Sequence, residues 1–567
     1  MPKFDLIIKG GRLVDGTGAP ERIADIAVKD GLIAEVGEFD GDASRVIDAR
    51  GALVTPGFVD IHTHYDGQAT WANRLNPSSH HGVTTIVMGN CGVGFAPCRA
   101  DDHDLLIELM EGVEDIPGVA LHEGLPWDWE SFPEYMDFLS ERSFDMDIGA
   151  QLPHAALRVY VMGERGARRD PATPEDIAEM RRLTTEAMKA GALGFTSSRT
   201  LNHRSSKGDS TPSLTAARDE LVGIGAGVGD AGSGVLEMIS DFKGLDEEFE
   251  TLKAMTDASG GSMTISLAQG INPQGWKKLL SKIDEANANG TRMKGQIAPR
   301  AIGILMGLNC TLNPFVRHPS YKDISKLPMN EKVAILRDET FQQKLLAEKA
   351  PAGGPALLLG DFSKMWVLGD PPEYEPTPED SIASKAEAEG ITPEAYALNA
   401  MLEKHGEQIL YTPFANYADF NLDCCREMIL SENTVMGLGD GGAHVGTISD
   451  ASFITYLLTH WGRDRTRGEL IDLPILVKAQ TADTAAVVGL NDRGIVAPGK
   501  RADINVIDFD KLKIHPPKMV FDLPAGGRRV EQTTEGYIAT ICHGQVTYEN
   551  GVATGALPGR LIRGQQQ

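Results

Sequence analysis

Between residues 58 and 484, short apolar runs alternate with stretches of helical periodicity, and this alternation constrains the fold more than any other feature. Repeated strand and helix units of this kind build a parallel sheet that is covered by helices. Eight runs can be placed as strands, which predicts an α/β fold, a closed (β/α)8 TIM-like barrel. The predicted strands are GFVDIHTH, TTIVMGNCG, DIGAQLPH, GALGFTSS, GVLEMISDF, SMTISLAQ, ILYTPFANY and VMGLGDGGAH. The run RMKGQIAPRAIG is an alternative candidate for one of the eight.

The two ends of the chain differ from the middle, because short β-rich runs are separated there by turns. Near the start they are DLIIKGGRLVDGTG, IADIAVKDGLIAEVG and VIDARGALVTPG, and near the end RGIVAPGKRADINVIDFD and YIATICHGQVTYENG. Gly-Gly, Asp-Gly and Asn-Gly pairs mark the turns. This pattern predicts a small antiparallel β-sandwich domain built from both termini, residues 1–57 and 485–567, beside a barrel of residues 58–484.

A long insertion interrupts the barrel pattern from about residue 300 to about residue 408. Its stretch PAGGPALLLGDFSKMWVLGDPPEYEPTPED is rich in Gly and Pro, which favours loops over regular elements. We expect these loops to cap the mouth of the barrel and to select the substrate.

Charge and composition exclude several classes of protein. The 567 residues carry 54 Lys and Arg against 80 Asp and Glu, a net charge of −26, which argues against nucleic acid as the partner. Apolar runs long enough to cross a membrane are missing, and the start MPKFDLIIKGG lacks the apolar core of a signal peptide. Six cysteines are too few for a disulfide framework. We expect a cytoplasmic enzyme that acts on a small molecule and that can form a homo-oligomer of unspecified size.

Four residues at predicted strand ends have side chains that bind metals. His62 and His64 end the first strand, and strand alternation puts both imidazoles on one face, about 6 to 7 Å apart along the chain. Cys91 follows the second strand and Asp440 the last one, each before glycines that let a ligand approach. The carboxyl ends of barrel strands carry catalytic groups. These residues therefore predict a metal site, although Cys91 could also be a core residue and Asp440 could start a turn.

Other polar residues near predicted strand ends are candidates for substrate contacts. His154 and Arg158 close the third strand, and Glu237 on the fifth strand could replace a metal ligand or face solvent. His444 follows Asp440 by four residues and is predicted to contact either a ligand residue or the substrate. The remaining candidates lie after the fourth strand and at the end of ILYTPFANY, and are Ser197, Ser198, Arg199, His203, Asn416 and Tyr417.

Three motifs give the chain a resemblance to a known family. The opening LIIKGGRLVDGTG, the strand PGFVDIHTH and the closing RGIVAPGKRADINVID resemble the amidohydrolase superfamily, and the string GNCG resembles its D-aminoacylase (N-acyl-D-amino-acid deacylase) branch. The resemblance covers roughly residues 3 to 300 and 405 to 510. It implies a metal-bearing barrel that hydrolyses an amide bond other than a peptide bond, with N-acyl amino acids as the substrate class.

The resemblance also implies roles for the candidate ligands. His62 and His64 would be first-strand metal ligands, Cys91 a thiolate ligand, and Asp440 the last-strand ligand and general base. The branch has two further histidines, whose places fall at Ile239 and Leu267, and neither can bind a metal. One ion per chain is therefore favoured over two, and a donor set with a thiolate fits zinc.

Two other functions stay open at this point. A cyclic amide, a carbamate or a lactone would suit the same activation of water. Loss of two ligand positions also permits a scaffold or assembly protein without catalysis, whereas the retained His62, His64, Cys91 and Asp440 favour the enzyme.

Overall fold

The computed structural model describes residues 2–232, 234–349 and 356–564. Eight neighbouring parallel strands form a nearly closed barrel, which confirms the predicted fold. Closure between the last strand and the first lies beyond the end of the last strand, where Thr63 bridges Gly441 and the Asp440 amide donates to the His62 carbonyl at 2.9 Å. The strands in order are Phe58–Thr63, Val83–Met88, Asp147–Pro153, Gly194–Arg199, Val235–Ser240, Ser262–Ser266, Arg292–Ile297 and Thr434–Met436.

The predicted seventh barrel strand was wrong. Arg292–Ile297, within the alternative run RMKGQIAPRAIG, occupies that position, and it pairs in parallel with the sixth and the eighth strands. ILYTPFANY instead forms the strand Leu410–Ala415, the middle of a three-stranded antiparallel sheet with Ile302–Met306 and Trp366–Val367. Both runs are apolar and have strand length, and periodicity alone does not reveal which sheet a strand joins.

Helices cover the outside of the barrel, and their sequence signals are local. Pro174–Lys189 begins at Thr173, whose hydroxyl accepts from the Asp176 amide in a capping box, with Pro174 in the first turn. Met180 and Ala187 are buried on its inner face. The other main barrel helices are His103–Glu114, Gly118–Gly124, Phe132–Ser140, His154–Met162, Arg218–Asp230, Leu245–Ser259, Gly275–Ala288, Asp423–Ile429, Phe453–Tyr456 with its π-helical continuation Leu457–Asp464, Leu473–Gln480 and Ala482–Val487.

The insertion is more helical than the sequence predicts. Its helices are Pro319–Ile324, Met329–Leu336, Glu339–Ala347, Ala356–Gly360, Ile382–Glu389 and Pro393–Met401. They enclose a hydrophobic core of their own, which includes Leu336, Ile382 and Leu398. The Gly- and Pro-rich stretch predicted as loops also holds the helix Ala356–Gly360 and the short strand Trp366–Val367, and its residues 351–355 lie outside the described part. A short amphipathic helix needs only one apolar face, and the apolar faces of the insertion's helices pack against each other.

Both ends of the chain contribute to one nine-stranded sheet. Leu53–Pro56 pairs antiparallel with Ile504–Ile507, and this pair joins the two halves. The expected antiparallel arrangement needs correction, because Phe4–Leu13 runs parallel to both Ala43–Asp48 and Leu53–Pro56. The remaining strands of this sheet are Arg22–Lys29, Leu32–Gly37, Tyr537–Cys542, Gln545–Glu549 and Val552–Ala553. The boundaries at residues 57 and 485 stay a prediction.

Short hairpins complete the C-terminal region. Lys518–Leu523 pairs with Gly527–Glu531, and Lys513–Ile514 pairs with Thr534–Glu535. The first hairpin lies against barrel loops, because Arg529 Nη1 donates to the Asn76 carbonyl at 2.6 Å and the Val530 amide donates to the Val445 carbonyl. Over the residues that the structure describes, each helix is too short or too polar to cross a bilayer.

Candidate metal centre

Two imidazoles and a thiol meet at the carboxyl end of the barrel. His62 and His64 end the first strand, and Cys91 lies just after the second, where its backbone has a left-handed φ of 54°. Each of the three offers a ligand atom within 4.8 Å of the other two. Cys91 Sγ is 3.4 Å from His62 Nε2. Ligand atoms around a tetrahedral zinc ion lie about 3 to 4 Å apart, so this spacing suits one cation.

Asp440 lies on the open side of this cluster. Its Oδ1 is 3.4 Å from His62 Nε2 and 3.8 Å from His64 Nε2. The side chain is 14% exposed, whereas the two histidine side chains are 1% exposed. The fold therefore brings together the four residues that strand alternation and strand-end positions indicate in the sequence, namely His62, His64, Cys91 and Asp440.

An oxygen atom faces Nδ1 of each imidazole on the side away from the cluster, and it is hydrogen-bonded in the case of His62. His62 Nδ1 is 2.7 Å from Gln296 Oε1, and Gln296 Nε2 donates to Thr264 Oγ1 at 2.8 Å, which fixes the direction of the amide. His64 Nδ1 is 3.2 Å from Glu114 Oε1, a close contact that does not meet hydrogen-bond geometry. An imidazole that donates from Nδ1 leaves the lone pair of Nε2 free for a metal. Both histidines thus present Nε2 to the cluster.

Buried carboxyl groups surround the cluster. Burial raises the pKa of Asp60 and of Glu237 to about 7, and raises that of Glu114 well above its ordinary value. Glu237 Oε2 accepts from the Cys91 amide at 2.9 Å, while its Oε1 is buried and has no hydrogen-bond partner among the described residues. Burial, together with Glu237, Glu114 and Asp440, raises the pKa of the Cys91 thiol. A thiolate here would need a cation beside it.

Two further histidines lie near the cluster. His203 is partly buried, its Nδ1 is 2.9 Å from Ser198 Oγ, and desolvation together with His444 and His62 lowers its pKa to about 3. His444 Nε2 is 3.8 Å from Glu114 Oε2. Burial, His62, His444 and His203 all lower the pKa of His64. The loops after the fourth and the eighth strands therefore bring His203 and His444 towards the cluster, and Ser198 on the fourth strand contacts His203.

His154 and Arg158 are engaged inside the protein. His154 is fully buried, with Nδ1 2.7 Å from Ser197 Oγ and Nε2 3.0 Å from Glu220 Oε1. Arg158 Nε donates to the same Glu220 oxygen at 2.8 Å, and its other nitrogens donate to three backbone carbonyls, those of Gly166, Pro212 and Asp170. The third strand continues directly into the helix that carries both residues, and this helix directs their side chains to Glu220. A substrate contact by either side chain would break these hydrogen bonds.

Asn416 and Tyr417 likewise serve internal contacts. Asn416 is fully buried, and its Oδ1 accepts from the Gln269 amide at 2.8 Å. The Tyr417 hydroxyl donates to the Pro376 carbonyl of the insertion. They were expected at the end of a barrel strand, but Leu410–Ala415 lies outside the barrel, so they connect the insertion to neighbouring loops.

The two positions at which the branch has histidines hold side chains that cannot bind a metal. Ile239 pairs with Ser198 and is on the same face of the fifth strand as Glu237. Leu267 is buried against Gly295 of the seventh strand. Glu237 lies two residues before Ile239 on this face, and it is the carboxylate that the fifth strand contributes.

Sequence reasoning missed three residues of this site. Asp60 lies two residues before His62, and strand alternation could have placed it on the same face. Gln296 was hidden because its strand was not assigned to the barrel. Glu114 ends an amphipathic helix, and nothing in its local sequence separates it from a solvated charge.

Comparison with known proteins places the chain in a family. A model of the amidohydrolase family matches residues 45–548, and the chain belongs to this family. It is 35% identical over 193 residues to D-aminoacylase of Alcaligenes xylosoxydans xylosoxydans, an alignment that spans 34% of this chain and only 37% of that protein. It is 26% identical over 518 residues to N-acyl-D-glutamate deacylase of the same organism, covering 90% of this chain and 88% of that protein.

Solved structures share the fold over the whole chain. A D-aminoacylase described as having a binuclear metal centre superposes with a TM-score of 0.66 at 23% identity, covering 99% of this chain and 100% of the other. An N-acyl-D-glutamate deacylase from Bordetella bronchiseptica, complexed with zinc and a phosphonate inhibitor, gives 0.64 at 22% identity, with the same coverage. The predicted resemblance to the D-aminoacylase branch is confirmed.

Proposed function

We propose that this chain is a zinc-dependent hydrolase that cleaves the amide bond of N-acyl amino acids. The observation that carries the proposal is the convergence of His62 Nε2, His64 Nε2, Cys91 Sγ and Asp440 Oδ1 at the open end of the barrel. A barrel needs no such group for its stability, because the interior of these folds is ordinarily filled with branched apolar side chains.

The donor set suits zinc better than a hard cation. Imidazole and thiolate are ligands of zinc, whereas magnesium and calcium prefer oxygen. Both imidazoles are held with Nε2 towards the cluster by partners on Nδ1, an arrangement typical of metal-binding histidines. Three buried ligands and a partly exposed Asp440 leave one side open to a substrate.

In this proposal zinc supplies Lewis acidity, which polarises the scissile carbonyl and lowers the pKa of water to about 7. Asp440 is the general base, since its carboxylate faces both histidines and is the most exposed member of the group. Oδ1 or Oδ2 accepts a proton from the attacking water and returns it to the nitrogen that leaves. The products are a carboxylate and an amine. His203 and His444 lie at the same face and are candidates to hold the substrate oxygen or the leaving group.

One ion per chain is the favoured stoichiometry. The relative with the longer alignment and the superposed D-aminoacylase indicate the branch, but Ile239 and Leu267 cannot supply the ligands of a second tight site. Glu237 is the residue that would have to do so, through its unpartnered Oε1. The substrate class is carried by the D-aminoacylase and N-acyl-D-glutamate deacylase relatives. A homo-oligomeric state and a cytoplasmic location stay predictions.

The test is metal content together with turnover. Purified protein is analysed for zinc, as the wild type and as His62→Ala, Cys91→Ala and Glu237→Gln, and assayed against N-acyl-D-amino acids, N-acyl-L-amino acids and cyclic amides. About one zinc per chain, lost in the first two variants and kept in the third, supports the proposal. Two ions, of which one is lost in Glu237→Gln, would contradict the single site. A zinc-replete chain without zinc or turnover would overturn the enzyme in favour of a scaffold.

A further inference from the structure

Glu114 connects two separate parts of the site, and the proposed function assigns it no step of the reaction. It is the last residue of the helix His103–Glu114, and the chain turns sharply at Asp115, which has a φ of 53°. The side chain is 1% exposed, as buried as His64 itself. A carboxyl group in such a place is costly to bury unless other groups use it.

Each oxygen of Glu114 faces a different histidine. Oε1 is 3.2 Å from His64 Nδ1, and Oε2 is 3.8 Å from His444 Nε2. Oε2 is fully buried and has no hydrogen-bond partner among the described residues. The carboxylate therefore lies between the first barrel strand and the loop after the eighth.

The backbone of Glu114 reinforces this connection. Its carbonyl accepts from the Val445 amide at 3.1 Å, one residue beyond His444. The same loop carries Asp440, whose amide is bonded to the His62 carbonyl. Asp440 and His444 both have a left-handed φ of 48°, a conformation that a non-glycine residue keeps only when its surroundings hold it. Glu114 is one of the groups that hold this loop.

We propose that Glu114 is a positioning residue, which fixes His64 with Nε2 towards the metal and holds the loop of Asp440 and His444 over the site. This inference rests on the proposed function, since it assumes a metal at His64. A carboxylate that accepts from Nδ1–H selects the tautomer, restrains the ring and makes Nε2 a better ligand. The Gln296 amide oxygen does this for His62, and Glu114 Oε1, 3.2 Å from Nδ1, is placed to do the same for His64.

The experiment compares zinc affinity in three variants by competition with a chromophoric chelator. Glu114→Ala removes the acceptor, Glu114→Gln keeps a neutral acceptor of the same size, and Glu108→Gln is the control. Glu108 is on the same helix, and its carboxylate pairs with the exposed Lys207. We expect affinity to fall about 10- to 100-fold in Glu114→Ala and about 3- to 10-fold in Glu114→Gln, with the control unchanged.

Further readouts separate positioning from folding. The absorption spectrum of the cobalt-substituted protein reports ligand geometry, and it should shift in Glu114→Gln at an unchanged melting temperature of the metal-free chain. Affinity within threefold of the wild type in Glu114→Gln, with an unchanged cobalt spectrum, would overturn the inference while the proposed function stands. A wild type that binds no zinc would overturn both. Should Glu114→Ala not fold, Glu114→Gln alone decides.

Discussion

Gln296 Oε1 accepts a hydrogen bond from His62 Nδ1 at 2.7 Å, across the interior of the barrel from the seventh strand to the first. The amide cannot flip without losing its second bond, from Nε2 to Thr264 Oγ1 at 2.8 Å. Three strands thus cooperate to aim one imidazole at the cluster. The orientation of His62, the first proposed metal ligand, is defined as much by a neutral amide as by its own strand.

Replacing Gln296 by Leu should weaken zinc binding about 10- to 100-fold, because the ring of His62 then loses its tautomer and its restraint. Competition titration with a chelator measures the loss. Gln296→Glu retains an acceptor at the same place and is the matched control, for which we expect affinity within about tenfold of the wild type. Equal affinity in the wild type and in Gln296→Leu would contradict this role.

Asp440→Asn tests the general base. The amide is isosteric but cannot take a proton, so kcat should fall about 10²- to 10⁴-fold at saturating zinc. The measurement is turnover of the best N-acyl amino acid, with bound zinc determined in the same sample so that loss of metal and loss of the base are distinguished. A kcat within threefold of the wild type at full zinc occupancy would exclude Asp440 as the base.

The four proposed ligands could be found from the sequence because each follows an apolar run at a barrel mouth. His62, His64, Cys91 and Asp440 need only local reasoning, since strand ends of a parallel barrel converge. Glu114 and Gln296 could not be found this way. The role of Glu114 depends on which helix end packs near the first strand, and that of Gln296 on which strand takes the seventh place in the barrel, for which ILYTPFANY competed with RMKGQIAPRAIG.

Four predicted substrate contacts lie away from the cluster because of the backbone around them. His154 directly follows the third strand, but the chain becomes helical there, so Arg158 lies within a helix and not at the strand end, and both side chains reach Glu220. Asn416 and Tyr417 depended on a strand that is not in the barrel. A strand end places a residue near the mouth, while the following backbone decides whether its side chain points to the site.

Arg158→Met should therefore act on stability and not on substrate binding. The substitution leaves Glu220 buried without its guanidinium partner, and breaking a buried ion pair costs about 3 to 5 kcal/mol. Urea unfolding measures this loss, and KM should stay within threefold of the wild type in the folded variant. The control is Arg168→Met, whose exposed pair with Glu164 contributes less than about 1 kcal/mol. A large rise in KM with unchanged stability would restore Arg158 as a substrate contact.

Glu375 docks the insertion against the barrel, and its ionisation should make that docking sensitive to acid. Its carboxylate is 3.0 Å from His460 Nε2, 3.1 Å from Arg465 Nη2 and 2.9 Å from the Leu422 amide. Burial alone would raise the pKa of Glu375, but the hydrogen bonds from His460, Arg465 and Leu422 lower it to about 2. Because the folded pKa is below the unfolded value of about 4.3, the ionised carboxylate stabilises the folded state above that value.

This contribution should be complete above about pH 4.5 and should disappear as the pH falls towards about 2. Glu375→Gln should lower the free energy of unfolding by about 3 kcal/mol at pH 7, since Arg465 stays buried next to a neutral amide. The difference from the wild type should shrink steadily between pH 4.5 and pH 2.5, as urea midpoints measured across that range would record. Glu379→Gln, on the exposed face of the same segment, should change neither quantity. A difference that is constant with pH would mean that Glu375 stabilises the docked insertion by packing alone and not by its charge.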